Sequence, residues 1–153
     1  YLLDLLRTMS MKILMHEILQ KVSNAKTKTE KIKFIKEFNS SALRSVLIIN
    51  FDDSIVSLLP PGEPPFNKND VPEGTEHTIL EKEARLLHHF FKGGSKLKQS
   101  KREDMFIQML EGLHQGEAGV LDLAKDKQLG KRWKITKQCV ETAFPSIEWG
   151  GRS

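Results

Sequence analysis

One cysteine in 153 residues, Cys139, excludes an internal disulfide and leaves a zinc site without its usual thiolates. That usage fits a reducing compartment, the cytoplasm. Long apolar runs are also missing. No stretch approaches the roughly 20 apolar residues that a membrane-spanning helix needs, and Tyr1 to Ser10 lacks the basic start and small-residue cleavage site of a signal peptide. Proline is scarce outside one segment: residues 60 to 75 hold all but one of the six. Helix is therefore free to form almost everywhere else.

What is present points to one small helical domain. A chain of this length fits a single core, and 39% apolar against 29% charged residues supplies enough burial to offset ordering entropy. Leu14, Ile18, Val22 and Ala25 form a first helical stripe. Thr27 and Glu30 have capping-box spacing ahead of Ile32, Ile35 and Phe38. Ser40 or Ser41 caps a third helix, apolar nearly all round through Leu43, Val46, Leu47, Ile48 and Ile49, which reads as a core-crossing element. Asp52, Asp53 and Ser54 mark a turn, and the prolines from Pro60 impose a surface loop over 60 to 75, the expected site of greatest mobility unless Phe66 is buried. Thr78 with Glu81, and Ser100 with Glu103, repeat the capping spacing. The first opens a helix through Leu80, Ala84, Leu87 and Phe91 to Gly93-Gly94, and the second one through Phe106, Met109, Leu110 and Leu113. Further helices are expected over Glu117 to Lys127 and Thr136 to Phe144.

The fold expected is all-α: a compact single-domain helical bundle of six to seven short helices with one proline-rich loop. The domain spans 11 to 145. Residues 146 to 153 form a C-terminal tail, and 1 to 10 an N-terminal extension. Met9 and Met11 suggest a natural start downstream of Tyr1; alternatively Leu2, Leu3, Leu5 and Leu6 add a helical turn.

From Lys12 to Pro145 the order of features resembles a family of small proteins of unknown function from T4-like tailed phages, including phages of cyanobacteria. The stretches that carry the resemblance are Ser41-Ala42-Leu43-Arg44 through Asn50-Phe51-Asp52, Leu58-Leu59-Pro60-Pro61-Gly62 with Pro64-Pro65-Phe66, Lys101-Arg102-Glu103 with Phe106-Ile107-Gln108, and Ala143-Phe144-Pro145. The resemblance implies a phage setting in the host cytoplasm and names no activity.

Catalytic patterns are missing. Gly93-Gly94-Ser95-Lys96 follows a helix and lacks the earlier glycine of a phosphate-binding loop. The histidines, His16, His77, His88, His89 and His114, contain no metal-binding spacing, and His88 and His89 should point about 100° apart. Asp52-Asp53 and Glu103-Asp104 fall where acids favour turns and helix starts, and Cys139 reads as a small buried residue. No enzyme, metal or cofactor is expected.

Charge is segregated: residues 1 to 50 carry nine bases and four acids, 51 to 91 three and eight, and 92 to 153 twelve and eight. Lys92, Lys96, Lys98, Lys101 and Arg102 run without an interrupting acid, and Lys131, Arg132, Trp133 and Lys134 place an indole among cations. Cations displace counterions from phosphates and an indole offers a stacking face, so both stretches are candidate nucleic-acid contacts. The alternative is that the lysines serve solubility and Trp133 packs on a helix edge. Pro61-Gly62-Glu63-Pro64 has the spacing an aromatic groove recognises, or else anchors on its own core through Leu58, Leu59 and Phe66. The leading expectation is a non-enzymatic phage accessory protein whose partner is nucleic acid or replication or transcription machinery. A protein adaptor acting on a host or phage protein and a virion structural component are the alternatives, and no membrane association is expected.

Overall fold

The computed structural model describes residues 13–68 and 78–152. The N-terminal extension and the 69–75 part of the proline loop lie outside the described residues. The fold is all-α, with 59% helix, seven α-helices and no strands among the described residues. No helix among them is long and apolar enough to cross a membrane.

Helix α1, Met15–Asn24, buries Met15, Ile18, Leu19 and Val22, the i, i+3, i+4, i+7 face of a helix on a core. Thr27 caps α2, Lys28–Glu37, its hydroxyl accepting from the Glu30 amide, and Ile35 is the residue α2 buries most deeply. Ser40 caps α3, Ser41–Phe51, in the same way through Leu43. Helix α3 buries Ala42, Leu43, Val46, Leu47, Ile49 and Asn50 and crosses the core as its composition requires. Helices α5, Gln99–Gly112, and α6, Gln115–Lys125, pack on each other, and α6 also packs on α1 and α3. Short α7, Lys137–Ala143, lies against α2 and buries Cys139.

Two expected caps are absent, for one reason each. Thr78 does not cap; its hydroxyl donates to Glu83, and the Leu80 amide is instead taken by the carboxylate of Glu117 at 2.8 Å. The other Glu117 oxygen accepts from the Met15 amide at 2.6 Å, so one buried acid serves the first turns of both α1 and α4, Leu80–Glu83. Ser100 lies inside α5, whose cap position is Lys98. The long helix expected from Leu80 to Phe91 is also corrected: after α4 the chain tightens into a 3₁₀ helix over Ala84–Phe90. Its buried positions, Leu87 and Phe90, are three apart, which matches three residues per turn, and Phe90 meets Phe106 edge-on at 5.2 Å. Val56 and Leu58 then exchange backbone hydrogen bonds with Lys92 and Phe90, the single β-bridge among the described residues.

The C-terminal tail is docked. Ile147 and Trp149 pack on the core, and Gly150 and Arg152 bond to Asp52.

Candidate functional site

The 3₁₀ helix, the turn after it and α3 enclose a groove of about 490 Å³. Its floor is apolar: Ile48, Ile49, Ile55, Leu87 and Phe91. Arg85, Lys92 and Arg152 reach it from three parts of the chain, and none of its lining residues is acidic. The turn is held tightly, because a Cβ on Gly94 would meet the His88 carbonyl oxygen at 2.0 Å. Exposed His88 also lines the groove, its ring 4.0 Å from that of His89, so these rings touch rather than diverge as an α-helix would have them. Burial, then neighbouring His88 and Arg102, lower the pKa of His89.

The basic stretch after this turn divides. Lys92, Lys96, Lys98 and Lys101 are exposed. Arg102 is buried, with its guanidinium donating to the carbonyls of His89 and Leu97 and to Gln99. The reading of Arg102 as a phosphate contact is corrected: it fastens the lysine-bearing segment to the 3₁₀ helix. Trp133 is corrected likewise. It is only 3% exposed, so its ring offers no face to a base. Lys131, Arg132 and Lys134 around it are exposed, but the local backbone is tied to α1 and α2, with the Lys134 amide on Ser23 and its carbonyl on the Lys31 ammonium. Arg132 lines a separate, mixed-sign groove with Glu63, Lys68 and Asp122. No hydrogen bond or ion pair joins the two basic stretches among the described residues; they are fastened to different parts of the fold.

The proline segment is held by charge. Lys125, 4% exposed, donates to the carbonyls of Pro60 and Gly62 and pairs with Asp126 at 2.8 Å and Asp122 at 3.3 Å. Asp126 accepts from the Gly62 amide and Glu111 from that of Asn67. Residues 60–68 are thus anchored, with Phe66 half-buried against the core, as in the alternative in which the loop packs on its own core. Burial raises the pKa of Asp122 against the opposing pull of Lys125. Beyond α6 the chain closes in a Schellman turn, with Lys127 in the left-handed region at φ 59° and the Gln128 amide on Leu123. The Lys127 ammonium then caps α3 through the carbonyls of Ile49 and Asp52.

Asp52 is the anchor of the tail. Burial would raise its pKa, but hydrogen bonds from the Ser54 hydroxyl, the amides of Gly150 and Ser54, and Arg152 together hold it well below the usual carboxylate range. Its role is to position Arg152 beside the groove, and its second neighbour, Asp53, is simply exposed.

Arg85 and Arg152 belong to no motif in the sequence, and His88 stands out there only among histidines without metal-binding spacing. Arg85 and His88, three residues apart, share a face of the 3₁₀ helix, while Lys92 lies in the turn beyond it. Nothing local predicts Arg152, which arrives by the docking of the tail.

A family of unknown function, DUF6433, matches residues 18–131, and the chain belongs to it. No curated protein and no solved structure matches the chain.

Proposed function

We propose that this chain is a non-enzymatic phage accessory protein that binds nucleic acid. The phage setting rests on the sequence resemblance. The observation that carries the binding is the groove rimmed by Arg85, Lys92 and Arg152, of which Arg152 alone has a carboxylate partner, Asp52, with exposed Lys96, Lys98 and Lys101 in the segment that leaves it. Cations gathered without counter-charges cost folding energy and favour anionic polymers by releasing their counterions. The surface reads as a track for a phosphate backbone, and the Lys131 to Lys134 stretch is a separate, weaker contact because its aromatic ring is buried.

The test is salt dependence. For single strands each phosphate contact adds about 0.7 to the slope of log affinity against log salt, so replacing Lys96, Lys98 and Lys101 with Gln lowers that slope by about 2. Fluorescence anisotropy of a labelled oligonucleotide over a salt series measures it. An unmutated protein that binds no DNA or RNA at low salt removes this reading.

The adaptor reading keeps one supporting observation. A second groove, of about 420 Å³, lies between Pro60–Pro65 and α5, lined by Leu59, Phe106 and Ile107 with Glu63 and Glu103. A basic peptide suits that lining better than a proline-recognition module suits the loop, because the Gly62 amide and carbonyl are already bonded inward. Loss of a captured partner on Glu103→Lys, with oligonucleotide binding unchanged, would favour it.

A further inference from the structure

We infer that the groove between α3 and the Ala84–Phe90 helix is a site for a single nucleoside monophosphate unit, its base over the apolar floor and its phosphate among Arg85, Lys92 and Arg152. This rests on the nucleic-acid reading and names what the surface holds.

The side chains of Arg85 and Lys92 make no ion pair or hydrogen bond among the described residues, and both bonds of the Arg152 guanidinium run through one nitrogen, Nη1, to Asp52 and to the Glu148 carbonyl. A planar fork with free donors beside an ammonium group suits a phosphate, which offers several acceptor oxygens and up to two charges, better than a single carboxylate. The body of the ligand follows from the floor. Ile48 and Ile55 are only half-buried, and a bare anion would leave them wet, so the anion must carry an apolar surface. The groove is wide and open, with the exposed His88 ring among its lining, which fits a flat ring system rather than an extended alkyl chain. Its volume lies in the range of about 300 to 1,000 Å³ typical of small-ligand sites and admits one nucleotide but no duplex. The unit is therefore either a free nucleotide or one unstacked from a strand whose neighbouring phosphates run toward Lys96 and Lys98.

The experiment is methyl and amide NMR on the full chain with five probes: dAMP, deoxyadenosine, inorganic phosphate, dodecyl phosphate and an eight-residue oligo(dA). Expected are shifts of the Ile48, Ile49, Ile55 and Leu87 methyls with dAMP, little with phosphate or deoxyadenosine at the same concentration, and at least tenfold tighter binding of oligo(dA) to the same methyls. Arg85→Gln with Lys92→Gln should weaken dAMP at least tenfold at an unfolding midpoint no lower than that of the unmutated protein. Equal affinity for dAMP and phosphate overturns the assignment, as does tighter binding of dodecyl phosphate than of dAMP. Oligo(dA) that binds while these methyls stay still removes the groove and leaves the broader reading standing. Binding of dAMP without oligo(dA) keeps the site, assigns it to free nucleotides and removes the strand reading. Silence from all probes removes both.

Discussion

The two ends of α6 and the groove beside α3 both carry clustered charge, and they use it in opposite ways. At the C-terminal end of α6, Lys125 is buried between Asp122 and Asp126 and holds the Pro60 and Gly62 carbonyls; at the start, Glu117 is buried on two amides. Every charge there has a partner in the fold. Around the groove, Arg85 and Lys92 have none among the described residues, and Arg152 is only partly engaged. The first pattern stabilises the chain, while the second leaves binding capacity at the surface. Formal charge in the sequence does not separate the two; the position of the opposite charge does.

The contrast is sharpest at Lys125. Removing one partner of a buried ionic cluster leaves the others uncompensated, so Lys125→Ala should destabilise the protein by about 3 to 5 kcal/mol, read from urea unfolding. It should also free residues 60–68, seen as faster amide exchange there. A cost below about 1 kcal/mol would show that water replaces the ammonium.

Trp133→Ala comes next, and it separates a core aromatic from a stacking one. A buried indole removed to Ala costs about 3 to 5 kcal/mol through lost contacts and a cavity. Oligonucleotide affinity per folded molecule should not change. Weakened binding at unchanged stability would put the ring back on the surface.

Asp52 gives the pH arm. Its folded pKa is depressed, so the stability it contributes is present above the unfolded value of about 3.9 and is lost as pH falls below it toward the folded pKa. The tail should therefore stay docked at pH 5 and above and loosen in stronger acid. Asp52→Asn should flatten stability against pH in that acidic window and raise amide exchange at Gly150, measured by unfolding at a series of pH values and by hydrogen exchange.

The smallest effect belongs to the groove. Arg85→Gln and Lys92→Gln break no bond among the described residues, so each should change stability by less than about 0.5 kcal/mol, and together they should raise it slightly by relieving repulsion. A loss of more than about 1 kcal/mol would place them with Lys125 as fold-holding charges and dissolve the comparison.

Which parts of this were legible in the sequence depends on the range of the interaction. The stripe of α3, the Thr27 and Ser40 caps and the turn at Asp52 to Ser54 involve residues two to seven apart and are present as read, while the α1 stripe keeps Ile18 and Val22 but has Leu14 and Ala25 at its caps. Identical capping spacing at Thr78 failed because a carboxylate 37 residues away took the Leu80 amide. The exposed lysines from Lys92 to Lys101 were legible because nothing nearby neutralises them, whereas Arg102 looked the same in sequence and is buried by three acceptors that folding brings to it. By itself the sequence determined the helical class and its apolar faces, since periodicity and caps are local. Only the tertiary structure decided which charges stay free, which aromatic is core and that Arg152 stands beside the groove, because each depends on a partner distant along the chain.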